Sequence, residues 1–79
     1  MKKLLIANRG EIAIRIARTA ADMGIETLAV HSSDDAASLH TRVADEAHAL
    51  TGAGPAAYLD GAQILAAAQA HGCDAVHPG

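Results

Sequence analysis

Lys3-Leu4-Leu5-Ile6-Ala7-Asn8-Arg9-Gly10-Glu11-Ile12-Ala13-Ile14-Arg15-Ile16 opens the chain, and its reading decides the fold. An unbroken apolar run over 4–7 suits a strand buried on both faces of a parallel sheet. The run stops at Asn8, and Glu11 follows three positions on. That spacing predicts a capping box, with Asn8 accepting from a first-turn N–H and Glu11 reaching back. A helix then runs to about Met23. Ile12, Ile16, Ala20 and Met23 are its expected apolar stripe, and Gly24 supplies the left-handed residue that ends it. Glu11 with Arg15, and Arg18 with Asp22, have the i,i+4 spacing of ion pairs on the polar side.

Outward from this block the pattern repeats. Thr27-Leu28-Ala29-Val30 reads as a second strand. Ser32-Ser33-Asp34-Asp35 reads as a turn and cap, and a short helix is expected over 38–43. Glu46-Ala47-His48-Ala49-Leu50 is a weaker strand whose charge suits a sheet edge. Thr51-Gly52-Ala53-Gly54-Pro55 is a loop. Asp60 caps a further helix with Gln63 in the reciprocal position. Ile64, Leu65 and Ala68 are its expected buried face, and Gly72 closes it. Cys73-Asp74-Ala75-Val76-His77 is the last strand, followed by Pro78-Gly79. Alternating strands and helices imply right-handed crossovers. The fold class is therefore α/β, a three-layer α/β/α Rossmann-like unit with a four-stranded parallel sheet, order 3-2-1-4. The chain stops on leaving a strand, so it is expected to continue and to be incomplete at its C-terminus.

The chain has 79 residues, 51% hydrophobic but only 1% aromatic, with Tyr58 alone. Alanine supplies much of the apolar content and buries little area per residue. A small domain with so thin a core is marginal unless a neighbour covers its open faces. The net charge of −3 and the lack of stacking aromatics argue against nucleic-acid binding. The apolar run of 4–7 is too short for a signal-peptide core or a membrane span. Cys73 is the lone cysteine, which suits a reducing compartment. A cytoplasmic protein is expected, or the matrix of an organelle if a transit peptide was removed.

A strand-turn-helix at the N-terminus invites a dinucleotide site, and the residues argue against one. The fingerprint needs three glycines near the pyrophosphate, whereas Asn8-Arg9-Gly10-Glu11-Ile12-Ala13 has one. Glu11 sets an anion at the helix end where phosphates would rest. Val30-His31-Ser32 replaces the acid expected after the second strand. No Walker loop is present. The five histidines, His31, His40, His48, His71 and His77, form no paired ligand motif. His40 and His71 are expected to be solvated, and His31 and His77 to bond local backbone at the carboxyl edge. Cys73 reads as a structural thiol, and Asp34 with Asp35 as caps rather than an acid–base pair. Arg15 and Arg18 read either as a solvated helix face or as a contact surface.

The opening block resembles the start of the biotin carboxylases. So do Val30-His31-Ser32-Ser33-Asp34, Ala44-Asp45-Glu46-Ala47, Tyr58-Leu59 and Ala75-Val76-His77-Pro78-Gly79, in the same order along the whole chain. The resemblance implies one domain over 1–79, the segment preceding an ATP-grasp module. It implies an ATP-dependent ligase that uses ATP, Mg2+ or Mn2+ and bicarbonate to carboxylate biotin on a carrier protein. The groups that grip nucleotide, metal and biotin in that family lie beyond position 79, so no catalytic, cofactor-binding or metal-binding residue carries over. The partners it implies are the chain's own ATP-grasp domain, a biotin carboxyl carrier, a carboxyltransferase and a second copy in a homodimer. Arg15 and Arg18 match positions at that dimer contact. Asp22 stands where a glutamate is familiar. The acceptor, whether acetyl-, propionyl- or methylcrotonyl-CoA, pyruvate or urea, is chosen by another domain. A free-standing ligand-binding module and an interaction domain without a ligand are the alternatives.

Overall fold

The computed structural model describes residues 1–78; Gly79, the end of the last family-like block, lies outside the described residues. Strand β1 (Lys3–Ile6) forms where the apolar run predicts. It pairs in parallel with β2 (Glu26–His31) on one side and β4 (Ala75–His77) on the other. Strand β3 (Glu46–Ala49) adds beyond β2, so the four-stranded sheet has the expected order β3-β2-β1-β4. Helices α1 (Gly10–Asp22) and α2 (Leu39–Val43) lie on one face, and α3 (Gly61–Ala70) on the other. A 3-10 turn over Pro55–Leu59 leads into α3.

The pleat of β1 divides the core in two. Leu5 points to one face, where it packs with Leu28, Val30, Tyr58, Ile64 and Ala67. Leu4 and Ile6 point to the other, against Ala13, Ala17 and Ala20 of α1. Burying each large aliphatic side chain contributes roughly 1.5–3 kcal/mol. Polar links fix the strand starts. Asp74 accepts from the N–H groups of Lys2 and Lys3 at 2.9 and 3.2 Å, joining β4 to β1. Asp45 accepts from the Thr27 N–H at 2.8 Å, joining β3 to β2 and satisfying a buried threonine.

Half of the expected stripe of α1 faces the core: Ala20 is buried and Ile16 packs against the cluster. Ile12 and Met23 are 51% and 68% exposed, while Ala13, Ile14, Ala17 and Ala20 are buried. Alanine lets the helix axis approach the sheet closely at Ala13, Ala17 and Ala20, and leaves Ile12 at the exposed flank. In α3, Ile64 and Ala68 are buried as expected, but Ala67 takes the place expected of Leu65, which is 57% exposed. The capping box of α1 does not form. Its N-cap is Arg9, without a side-chain cap, because the Asn8 Oδ1 accepts instead from the adjacent Arg9 N–H at 2.8 Å. Glu11 turns to Arg15 at 3.3 Å as expected, and Arg18 and Asp22 make no ion pair with each other. At the far end, Gly24 takes the predicted left-handed conformation, φ 74°. Asp60 does cap α3, accepting from the Gln63 N–H at 3.3 Å. The reciprocal bond is absent, because the Gln63 amide bridges Thr51 at 2.7 and 3.0 Å and returns only to the Asp60 carboxylate.

Leu28 is fully buried between both neighbours of β2 and Leu65 is not, which gives a paired test. Leu28→Ala is expected to cost about 2–5 kcal/mol and Leu65→Ala less than about 0.5 kcal/mol in denaturant titrations. Comparable losses at the two positions would contradict the placement of the core.

Candidate functional site at the carboxyl edge

In an open parallel sheet the crevice outside the strand C-termini, at the switch in strand order, is where ligands meet the fold. Here the switch lies between β1, which leads leftward to β2, and β4, which arrives from the opposite face. A cavity of about 450 Å3 opens there, its wall formed by Ala7, Asn8, Arg9, Tyr58, Val76 and Pro78 among others. Three connections build its rim: the β1–α1 turn, the β2–α2 loop and the 3-10 turn before α3.

Asp35 is the hub of that rim. It is 7% exposed and is met by four side chains, sharing the single Ser32 hydroxyl proton with Asp34. The Tyr58 hydroxyl donates to its Oδ2 at 2.6 Å. Arg9 meets both its oxygens, Nε to Oδ2 at 3.1 Å and Nη2 to Oδ1 at 3.3 Å. The Ser32 and Ser38 hydroxyls lie at 3.2 and 3.3 Å. Together they tie three separate loops to one carboxylate. The Tyr58 bond, backed by Ser32 and Arg9, holds the Asp35 carboxyl below its ordinary range although burial acts the other way. Burial and the same bond push the Tyr58 hydroxyl up. Asp34 beside it accepts from Ser32 at 2.5 Å and from the Gly54 N–H at 3.1 Å, and these bonds lower its carboxyl too.

Sequence reasoning treated Asp34 and Asp35 as turn caps and missed this network. One signal was present: a tyrosine that is the chain's only aromatic residue must find a partner for its hydroxyl if the ring is buried. His40 was also misplaced. It is 2% exposed, with Nε2 donating to the Val30 carbonyl at 3.2 Å and Nδ1 lacking a partner. His71 is half-buried and bonded to His48 and Glu46, so it is not solvated either. His31 bonds the Ser32 carbonyl at 3.0 Å, as expected of a residue at a strand end. His77 ends β4, in register with Ile6 and separated from His31 by β1. Cys73 packs against the α3-side core and burial pushes its thiol up, in keeping with a structural role. Arg15, Arg18 and Asp22 all lie on the exposed side of α1, and Arg15 borders a separate apolar groove with Ile16, Thr19 and Met23.

The carboxyl edge does not fit a nucleotide's phosphates. Glu11, Asp34 and Asp35 bring three carboxylates to it, and the Arg9 cation is already neutralised by Asp35. Gly10 has φ 63°, so the one glycine of the turn serves backbone geometry. Among the described residues no group of three or more His, Cys, Asp or Glu is arranged to hold a metal ion. For the ureido ring of biotin the wall offers no convergent donor and acceptor, since Asn8 Oδ1 and Arg9 are both committed within the chain. What the arrangement does is hold three loops rigidly around an apolar opening.

Three comparisons bear on this chain. The family model described as biotin carboxylase, N-terminal domain, matches residues 1–79. Biotin carboxylase 1 of Bacillus subtilis is 51% identical over 83 aligned residues, covering 100% of this chain and 18% of that one. The mitochondrial methylcrotonoyl-CoA carboxylase subunit alpha of Glycine max is 53% identical, covering 100% and 11%. Among solved structures, a single-chain, multi-domain long-chain acyl-CoA carboxylase superposes with a TM-score of 0.97 at 54% identity, covering 99% of this chain and 8% of that one. The chain spans only 6% to 18% of the length of such curated relatives.

The Asp35 hub sets an acid dependence. A carboxyl held low in the fold stabilises it fully above the unfolded-state value of about 3.9, and that stability is lost as pH falls through the lower folded value. Tyr58→Phe is expected to destabilise by about 1–3 kcal/mol near neutrality and to flatten the acid limb of a stability–pH curve. An acid limb of unchanged steepness would show that Asp35 does not carry it.

Proposed function

Because the chain belongs to the biotin carboxylase N-terminal domain family, we propose that it frames one side of the active site in an ATP- and bicarbonate-dependent ligase that carboxylates biotin on a carrier protein. The observation that carries this reading is the family match over residues 1–79. The misfit of the carboxyl edge to phosphate agrees with it: Arg9 is held by Asp35 rather than left open to an anion. ATP, Mg2+ or Mn2+ and biotin are bound, on this reading, by other parts of the whole enzyme. When bound there, ATP and the metal supply the activated phosphoryl chemistry. Residues of this chain supply rigidity: Asp35, Tyr58 and Arg9 fix the loops that face the neighbouring ATP-grasp domain.

The proposed partners are that ATP-grasp domain, a biotin carboxyl carrier and a carboxyltransferase. An acyl-CoA acceptor is proposed, with the choice made by another domain, since this segment is nearly as similar to a urea carboxylase (52% identical) as to a long-chain acyl-CoA carboxylase (54%). A cytoplasmic location is proposed on the chemistry of a lone, partly buried thiol. Self-association is proposed through the polar side of α1. Arg18 and Asp22 are exposed and unpaired with each other, so both charges are available to a second copy.

Two outcomes test this. The polypeptide encoded by the full reading frame hydrolyses ATP only when biotin and bicarbonate are supplied, and the purified 79-residue chain shows no such turnover. Turnover by the short chain, or none by the long one, contradicts the proposal. In the long form, Arg18→Glu sets like charges beside Asp22 and is expected to weaken self-association about tenfold or more, which is roughly 1.4 kcal/mol. An unchanged dissociation constant in sedimentation removes the α1 contact.

A further inference from the structure

Strand β3 is an edge strand with little apolar hold on the sheet. Ala47 and Ala49 are exposed, and only β2 pairs with it. Its other two side chains, Glu46 and His48, stand in register with Leu28 and Val30, which face α3. Both are bonded. His48 Nδ1 lies 3.0 Å from Nε2 of His71, the C-cap residue of α3, with the rings at 87° and their centroids 5.0 Å apart. His71 Nδ1 lies 3.2 Å from Glu46 Oε2, and Lys3 of β1 binds the other Glu46 oxygen. Asp45, bonded to Thr27, and the buried Leu50 anchor the two flanks of β3; between them the side-chain hold is a chain of four polar groups, Lys3, Glu46, His71 and His48.

Their hydrogen positions follow from chemistry. The Glu46 carboxyl is held below its ordinary range by its bond to Lys3 and then by His71, so it only accepts. His71 Nδ1 must donate to it. A neutral His71 then accepts at Nε2, and His48 donates from Nδ1. One added proton reverses that bond without breaking it, since a charged His71 donates from Nε2 to His48. A second proton leaves two N–H groups facing each other at the same place, both positively charged, with no acceptor between them. The other titratable groups around the pair are Lys3, Glu26, Glu46, Cys73 and Asp74. None of these residue types ordinarily changes charge between about pH 5 and 7, where imidazoles do.

We propose that His48 and His71 form a proton-operated latch that clamps the edge strand β3 to the end of α3, stays closed with zero or one proton, and opens when both rings are protonated. Opening loosens residues 46–49 between the anchors at Asp45 and Leu50, and leaves β1 and β2 held by their apolar cores. It exposes backbone groups able to pair with another strand. This latch is distinct from the proposed ligase role, since it lies away from the carboxyl-edge cavity.

Hydrogen exchange read by mass spectrometry, on the longest form of the chain and corrected for intrinsic rates, tests it. Protection of the 46–49 amides relative to the 27–30 amides is compared near pH 7.5, 6 and 5, spanning the range in which imidazoles titrate. Protection of β3 relative to β2 is expected to fall roughly tenfold between the highest and the lowest of these pH values, about the value of one such bond. His48→Gln, which keeps a donor but takes no proton, is expected to abolish the fall, and His71→Gln to do the same independently. A fall shared equally by β2, a fall that persists in both variants, or no fall in the unaltered chain overturns the latch.

Discussion

Strand β1 is the constraint from which the rest follows. It is paired on both edges and covered on both faces. Its side chains alternate between two separate cores, so neither helix layer can be placed without it. Leu5 commits α3 to one face, and Leu4 with Ile6 commits α1 to the other. The strand must then end in a turn that starts α1 at once, which brings Asn8, Arg9 and Gly10 to the carboxyl edge. Gly10 supplies the positive φ that turn needs. Arg9 emerges beside the end of β2, where Asp35 receives it.

From that junction the edge becomes a framework. The buried carboxylate of Asp35 is worth little to the fold unless its lone pairs are filled, because an unpaired buried charge is costly. Tyr58, Arg9, Ser32 and Ser38 fill them, and in doing so they join loops that follow β1, β2 and β3. The same bonds use up the one arginine near the cavity. Rigidity and phosphate affinity compete here, and rigidity takes the cation. A domain made this way suits a wall of an active site whose reactive groups come from elsewhere.

The topology was legible in the sequence because it rests on local signals. A run of four apolar residues, Gly24 after a helix and Asp60 before one each act within a few positions. Side-chain phase was less legible. Isoleucine looks like the buried residue of α1, yet the close approach of helix to sheet favours Ala13, Ala17 and Ala20. The cap at Asn8 failed because its amide found a nearer donor one residue on. The Asp35 hub was hidden for another reason. Residues 9, 32, 35, 38 and 58 lie in three different crossovers and meet only when those pack together, and neither spacing nor composition encodes that meeting. His40 belongs with them: only the folded chain brings the Val30 carbonyl to its ring.

The central claim is that this layer is framework and that nucleotide is gripped elsewhere. Backbone amide shifts of Gly10, Glu11 and Ile12, recorded by NMR while Mg-ATP is added to the 79-residue chain, test it most directly. The account predicts no saturable shift at these amides. Saturable shifts at Gly10 and Glu11, weakened by Arg9→Ala, would contradict it.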